Sequence, residues 1–309
     1  MKSTPLEQSL IIDVAIVGVQ KCGTTSLKHY LTQHPAITSH YTTEFSYFAD
    51  PEYQQTTDTV IRKHFGATSI KLDQSILVKY SAMLEIEENI ARLHQHNPSC
   101  RVIFMVREPV DRAFSSYRFE VSNGYQRDFN EILAAIDQQN LNDEMYTIFF
   151  QLGLYSHYYQ LLTSYFPPEQ IYIVDYSEFK KDASLVSNDI FRWMALDSPI
   201  ALDVTKIYNI SQPVTKMGRI LNTVRSERNP IKRLARSVLP TSTYHRLVTR
   251  LLDLAIDQDS SPTESNNSKN KILRPELSDS TRRHLHRYYQ DDVRRFKEIA
   301  NLELPYWQY

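Results

Sequence analysis

The segment IIDVAIVG, centred on Val14–Val17, is a short apolar run rich in β-branched residues that stops at Gly18. Such a run reads as a strand buried on both faces. Gly23-Thr24-Thr25-Ser26 follows, and helix-compatible residues continue to Leu31. Strand, glycine-bounded turn and helix in that order open a βαβ unit. Two later runs, Val102–Val106 and Ile171–Val174, read as further buried strands. Helical patterns lie around them at Leu84–His94, Val110–Val121 and Leu154–Tyr165, and Pro109 suits a first helical turn. Alternating strands and helices predict an α/β fold with a central parallel β-sheet flanked by helices.

A length of 309 residues allows one large α/β domain or two ordinary ones. We read a single domain over 1–309, with the polar stretch 256–271 as a flexible surface loop. A net charge of −1 argues against a general nucleic-acid binder. Cys22 and Cys100 are too few for a disulfide framework, lack metal-site spacing and fit a reducing compartment or simply two buried thiols. Asp13 interrupts the first apolar run, and no stretch approaches the roughly 18–20 apolar residues of a transmembrane segment. A cytoplasmic location is the expectation. From Lys216 to Arg250 nine Lys or Arg residues stand against one acid, Glu227. That stretch is either a solvated helical face or a basic groove facing an anion.

The turn Gly18-Val-Gln-Lys21-Cys22-Gly23-Thr24-Thr25-Ser26 has the makings of an anion cradle. Backbone N–H groups at a helix N-terminus carry partial positive charge, and glycine lets the backbone close around a phosphate. Gly18 and Gly23 have the glycine spacing of G-x-x-x-x-G-K-[ST], but Thr24 stands where that loop has lysine, and a lysine lies inside the turn at Lys21. Kinase or ATPase chemistry is thereby disfavoured. Lys21-Cys22-Gly23-Thr24-Thr25-Ser26 resembles the 5′-phosphosulfate loop of the sulfotransferases that use 3′-phosphoadenosine 5′-phosphosulfate (PAPS). Arg107-Glu-Pro-Val-Asp-Arg112-Ala-Phe-Ser115 is similar to that family's 3′-phosphate motif. The resemblance implies a P-loop-like sulfotransferase fold, PAPS as donor, loop residues Lys21 to Ser26 on its 5′ end, and Arg107 and Ser115 on its 3′-phosphate. Arg112 reads as a brace of the turn through an ion pair.

Sulfuryl transfer needs a cation at the leaving oxygen, a base for the acceptor proton and close alignment, and this scheme needs no metal. Lys21 is the first choice for the cation. Lys79 is the second, because Lys79-Tyr-Ser81 resembles a segment of the heparan-type branch; a surface lysine is the competing reading. Glu44 is the implied base, since His34-Pro through Glu44-Phe-Ser-Tyr-Phe48 is similar to that branch, and His40 is the rival. Thr215-Lys216-Met-Gly218-Arg219 resembles a loop that closes over donor phosphates, which implies contacts from Lys216 or Arg219. The expected reaction is sulfuryl transfer to a hydroxyl or amine, with a carbohydrate acceptor favoured and a lipid, polyketide or small-metabolite acceptor left open. A P-loop kinase or NTPase and a non-catalytic nucleotide-binding protein are the alternatives. No nucleic-acid partner is expected.

Overall fold

The computed structural model describes residues 11–50, 53, 64–65, 74–122, 125, 127–137, 144–196, 200–206, 275–307 and 309. The expected loop at 256–271 and the basic stretch 216–250, with Lys216 and Arg219, lie outside these residues. Chain contacts group into two compact units, one of 1–116, 134–210 and 278–309, the other of 117–133 and 211–277. In the second, the Tyr117 ring packs 4.9 Å from that of Phe129 and its hydroxyl donates to the Arg127 carbonyl at 3.3 Å.

The first unit carries the sheet. Its strands are β1 (Val14–Gly18), β2 (Ile37–Ser39), β3 (Ser75–Lys79), β4 (Arg101–Val106) and β5 (Ile171–Asp175). They are all parallel, in the order β2-β3-β1-β4-β5. Every residue of β1 is buried, as its uninterrupted apolar run requires of a central strand. The helices are α1 (Thr24–Leu31), α2 (Glu87–His96), α3 (Pro109–Ser122), α4 (Phe129–Asp137), α5 (Glu144–Phe149), α6 (Tyr155–Tyr165), α7 (Tyr176–Lys181), α8 (Ala183–Trp193) and α9 (Asp279–Ala300).

The three strands read from the sequence are present, and β2 and β3 are additions. The helix expected from Leu84 begins later, because Met83–Glu85 form a 3₁₀ turn and Ile86 is extended. Local chemistry sets several helix starts. Both Glu108 carboxylate oxygens accept from the first turn of α3, from Val110 N at 3.1 Å and Asp111 N at 2.7 Å. Asp175, Asp182 and Ser278 cap α7, α8 and α9 in the same way.

The strand order fixes where a ligand can bind. The chain leaves β1 toward β2 on one side, and leaves β4 toward β5 on the other. The crevice beyond the carboxyl ends of β1 and β4 is therefore the topological switch point, where open α/β sheets take their ligands. The loop after β1 and Arg107 after β4 flank that point.

Candidate active site

The loop after β1 ends at the N-terminus of α1, whose first turn holds no acidic side chain to oppose an anion. Lys21 (φ 69°) and Gly23 (φ 86°) both take left-handed conformations, which turn the backbone sharply into the helix. At Gly23 a side chain would also be crowded, since a Cβ there would stand 3.0 Å from the Tyr176 ring, which would have to shift. The Cys22 thiol is fully buried, and the Cys22 N–H returns to the Val19 carbonyl at 3.3 Å. Burial pushes that thiol up to about 11, so it stays protonated. Thr24 and Ser26 are buried, while Thr25 is half-buried.

Arg107 stands at the carboxyl end of β4 and is held from three sides. Its guanidinium donates to the Lys21 carbonyl at 3.2 Å and lies 4.9 Å over the Tyr176 ring. Its backbone is clamped by the Tyr155 hydroxyl, which donates to the Arg107 carbonyl at 2.7 Å and accepts from the Arg107 N–H at 3.2 Å. Ser115 follows two turns into α3 and is half-buried. Arg112 is fully buried and braces the structure, but through carbonyls: it donates to Ile148 O at 3.1 Å and Phe149 O at 2.5 Å. Among the described residues Arg112 forms no ion pair, so the expected one is replaced by these carbonyl contacts; the nearby acid, Glu108, caps α3 and accepts from the Tyr309 hydroxyl at 2.6 Å.

Glu44 and Lys79 meet at the carboxyl end of β3. Lys79, the last residue of β3, is buried to the end of its side chain, so the surface-lysine reading falls. Its ammonium donates to Glu44 Oε1 at 2.6 Å and to Thr25 Oγ1 of the anion loop at 3.1 Å. Glu44 also accepts from Ser81, from its N–H at 2.9 Å and its hydroxyl at 3.0 Å. The Glu44 side chain keeps 35% of its surface exposed against 1% for Lys79, so Glu44 is the more accessible member of the pair. Burial pushes Lys79 below the ordinary lysine range, opposed by the Glu44 charge.

His40 is placed as a structural group. It is 2% exposed, and its Nε2 accepts the Lys79 backbone N–H at 3.0 Å. An Nε2 that accepts leaves the proton on Nδ1, which faces the Thr42 hydroxyl at 3.0 Å. Burial, followed by the Lys28 and Lys79 ammoniums, drives its pKa down to about 3. Between pH 6.5 and 3 the unfolded chain then binds a proton that the folded chain refuses, so stability falls as pH falls through that window. His40→Gln is expected to remove about one proton's worth of this slope, about 1.4 kcal/mol per pH unit. Urea unfolding at pH 4 to 7 measures it; an unchanged slope would overturn this account of His40.

Sequence reasoning singled out Lys21–Ser26, Arg107, Ser115, Glu44 and Lys79, all of which lie among the described residues. It missed Lys28, Ser81, Tyr155 as the clamp on Arg107, and Tyr176. The hydroxyl of Ser81 two residues after Lys79 was a usable signal. The others depend on contacts between distant segments.

Comparison with known proteins places the chain in a family. The sulfotransferase domain family matches residues 12–296. The chain is 26% identical over 191 residues to the human bifunctional heparan sulfate N-deacetylase/N-sulfotransferase 2, covering 59% of this chain and 22% of that protein. It is 29% identical over 167 residues to the mouse heparan sulfate glucosamine 3-O-sulfotransferase 5, covering 52% of this chain and 46% of the relative. The chain thus spans less than half the length of either. The crystal structure of a sulfotransferase from Alicyclobacillus acidocaldarius shares the fold, with a TM-score of 0.65 at 19% identity over 96% of this chain and 98% of that one. Among the described residues no helix is long and apolar enough to cross a membrane. With a family match that runs across both compact units, the chain belongs to the sulfotransferase domain family.

Proposed function

We propose that this chain transfers a sulfuryl group from PAPS to a hydroxyl or amine of a carbohydrate acceptor. One observation carries the reading: Lys79 joins the carboxylate of Glu44 to Thr25 of the anion loop. A base and a buried cation thereby meet at the place where the loop would hold a phosphosulfate.

In this scheme the loop and the N-terminus of α1 hold the 5′ end of the donor, and Arg107 and Ser115 hold its 3′-phosphate. The acceptor oxygen or nitrogen forms a bond to sulfur as the bond from sulfur to the phosphate oxygen breaks. Glu44 takes the acceptor proton, and Lys21 and Lys79 stabilise the negative charge left on the phosphate oxygen. The counter-charge comes from side chains, so no metal enters the scheme. Lys216 and Arg219 remain proposed donor contacts. The single-domain reading rests on the family match across both units. The carbohydrate acceptor is supported by the relatives named for heparan sulfate sulfotransferases, one for N- and one for O-sulfation.

Calorimetry with 3′-phosphoadenosine 5′-phosphate tests the donor site. Binding is expected, weakened about tenfold to hundredfold by Arg107→Ala, as loss of charge-assisted hydrogen bonds implies. Absence of binding, together with Mg²⁺-dependent ATP turnover, would overturn the proposal in favour of a P-loop NTPase. Transfer from radiolabelled PAPS to N-desulfated heparan and a panel of other acceptors then tests the acceptor class. A cytoplasmic location is a further proposal, compatible with two buried free thiols. Recovery of a tagged chain in the membrane or secretory fraction would overturn it.

A further inference from the structure

Lys28 lies on α1, one turn beyond the anion loop, and is only 5% exposed. An ammonium in such a place loses most of its hydration, and apolar residues usually fill a helix face of this kind. Burial, with the nearby Lys79 charge second, brings its pKa down to about 8. Its donors go to one short stretch of chain. Nζ donates to the His40 carbonyl at 2.7 Å and the Thr42 carbonyl at 2.9 Å, and sits 3.4 Å from His40 Nδ1.

That stretch leads directly into Glu44. The Thr42 hydroxyl donates to the Glu44 carbonyl at 2.8 Å, and His40 Nε2 receives the Lys79 N–H at 3.0 Å. One ammonium therefore holds the turn from His40 to Thr42, and this turn holds the backbone of both members of the Glu44–Lys79 pair. Neither carbonyl belongs to the hydrogen-bonded ladder between β2 and β3, which ends at Ser39. The bonds of Lys28 thus serve the loop and not the sheet.

We propose that Lys28 is a positioning residue for sulfuryl transfer: by clamping the His40–Thr42 turn from α1 it sets the Glu44 carboxylate against Lys79 and Ser81. The proposal rests on the reading of Glu44 as the base. Its physical logic is that of preorganisation. A side chain on a loop holds productive geometry only when a rigid element fixes the loop, and α1 is the same helix that fixes the anion site. A single strut then keeps donor site and base in one frame.

Hydrogen exchange on the full chain tests this without an acceptor. In Lys28→Met, peptides over 40–45 and 79–84 should exchange about tenfold faster or more, while peptides in β4 and the first half of α3 keep their rates. On any acceptor from the panel that wild type turns over, kcat should fall about 100-fold, the cost of roughly 1 Å of misplacement, with the KM for PAPS within about twofold. Lys28→Gln keeps two N–H donors without the charge and should recover a large part of the loss; it also serves if the methionine variant fails to fold. Unchanged exchange in 40–45, equal acceleration across the whole unit, or wild-type kcat in Lys28→Met would each overturn the proposal. Glu44→Gln, assayed alongside, separates the two claims. If it stays active the base assignment fails, whereas an inactive Glu44→Gln beside a fully active Lys28→Met sinks only the role of Lys28.

Discussion

Glu44→Gln is expected to lower kcat for sulfuryl transfer by about 10²- to 10⁴-fold, the range over which a general base contributes. Glutamine keeps the size of the side chain and can still accept from Ser81, so the local structure should survive. What disappears is the ability to take a proton. Glu44 lies in the loop before Phe45 and does not belong to the anion loop or to Arg107, so affinity for 3′-phosphoadenosine 5′-phosphate should stay within a few-fold of wild type. Rapid-quench or steady-state assays with radiolabelled PAPS, paired with calorimetry, check both halves. The informative contrast is His40. It is buried, it already accepts the Lys79 N–H, and it stays neutral far below pH 7. Full activity in Glu44→Gln with none in His40→Gln would reverse the assignment.

Lys79→Met is expected to lower kcat by about 10²- to 10³-fold, comparable to the loss of a preorganised group facing developing negative charge. Its effect on stability should run the other way. The Lys79 ammonium is almost wholly out of water, and methionine fills a similar volume with no charge to desolvate. Glu44 would keep both hydrogen bonds from Ser81 and its exposed edge, so little uncompensated charge is left behind. The double variant Lys79→Met/Glu44→Gln should accordingly melt at or above the wild-type temperature while transferring nothing measurable. Its activity loss should also fall well short of the product of the two single losses, because the residues work as a unit. A double variant that melts several degrees lower would show that the pair holds the fold together. Wild-type transfer in Lys79→Met would remove it from the chemistry.

Much of the architecture was legible because the signals were local. Val14–Val17 and Val102–Val106 are long enough, and apolar enough, to declare buried strands, whereas Ile171–Val174, also read as buried, forms the edge strand β5 with Tyr172 and Ile173 only half-buried. Pro109 sits at the start of its helix, where its fixed φ and missing N–H do no harm. The two edgeward strands were less legible. β2 has only three residues, too few for any periodicity to stand out. β3 combines Ile76–Val78 with a terminal lysine, and a lysine looks like a surface residue until its partners are known.

The same division runs through the site. Lys21 to Ser26, Arg107 and Ser115, the proposed donor contacts, could be named in advance because each motif is continuous in the chain, one in a strand-to-helix turn and one running from a strand end into the next helix. The pairing of Glu44 with Lys79 spans 35 positions, and the clamp of Tyr155 on Arg107 spans 48. Residue order along the chain therefore marked the groups proposed to bind a phosphosulfate and where a parallel sheet would place them. Only the folded chain decided which lysine is buried beside the carboxylate, which histidine is enclosed and accepts that lysine's N–H, and which second lysine holds the turn between them. Such choices depend on desolvation and on hydrogen bonds between distant segments, and neither exists until those segments are packed together.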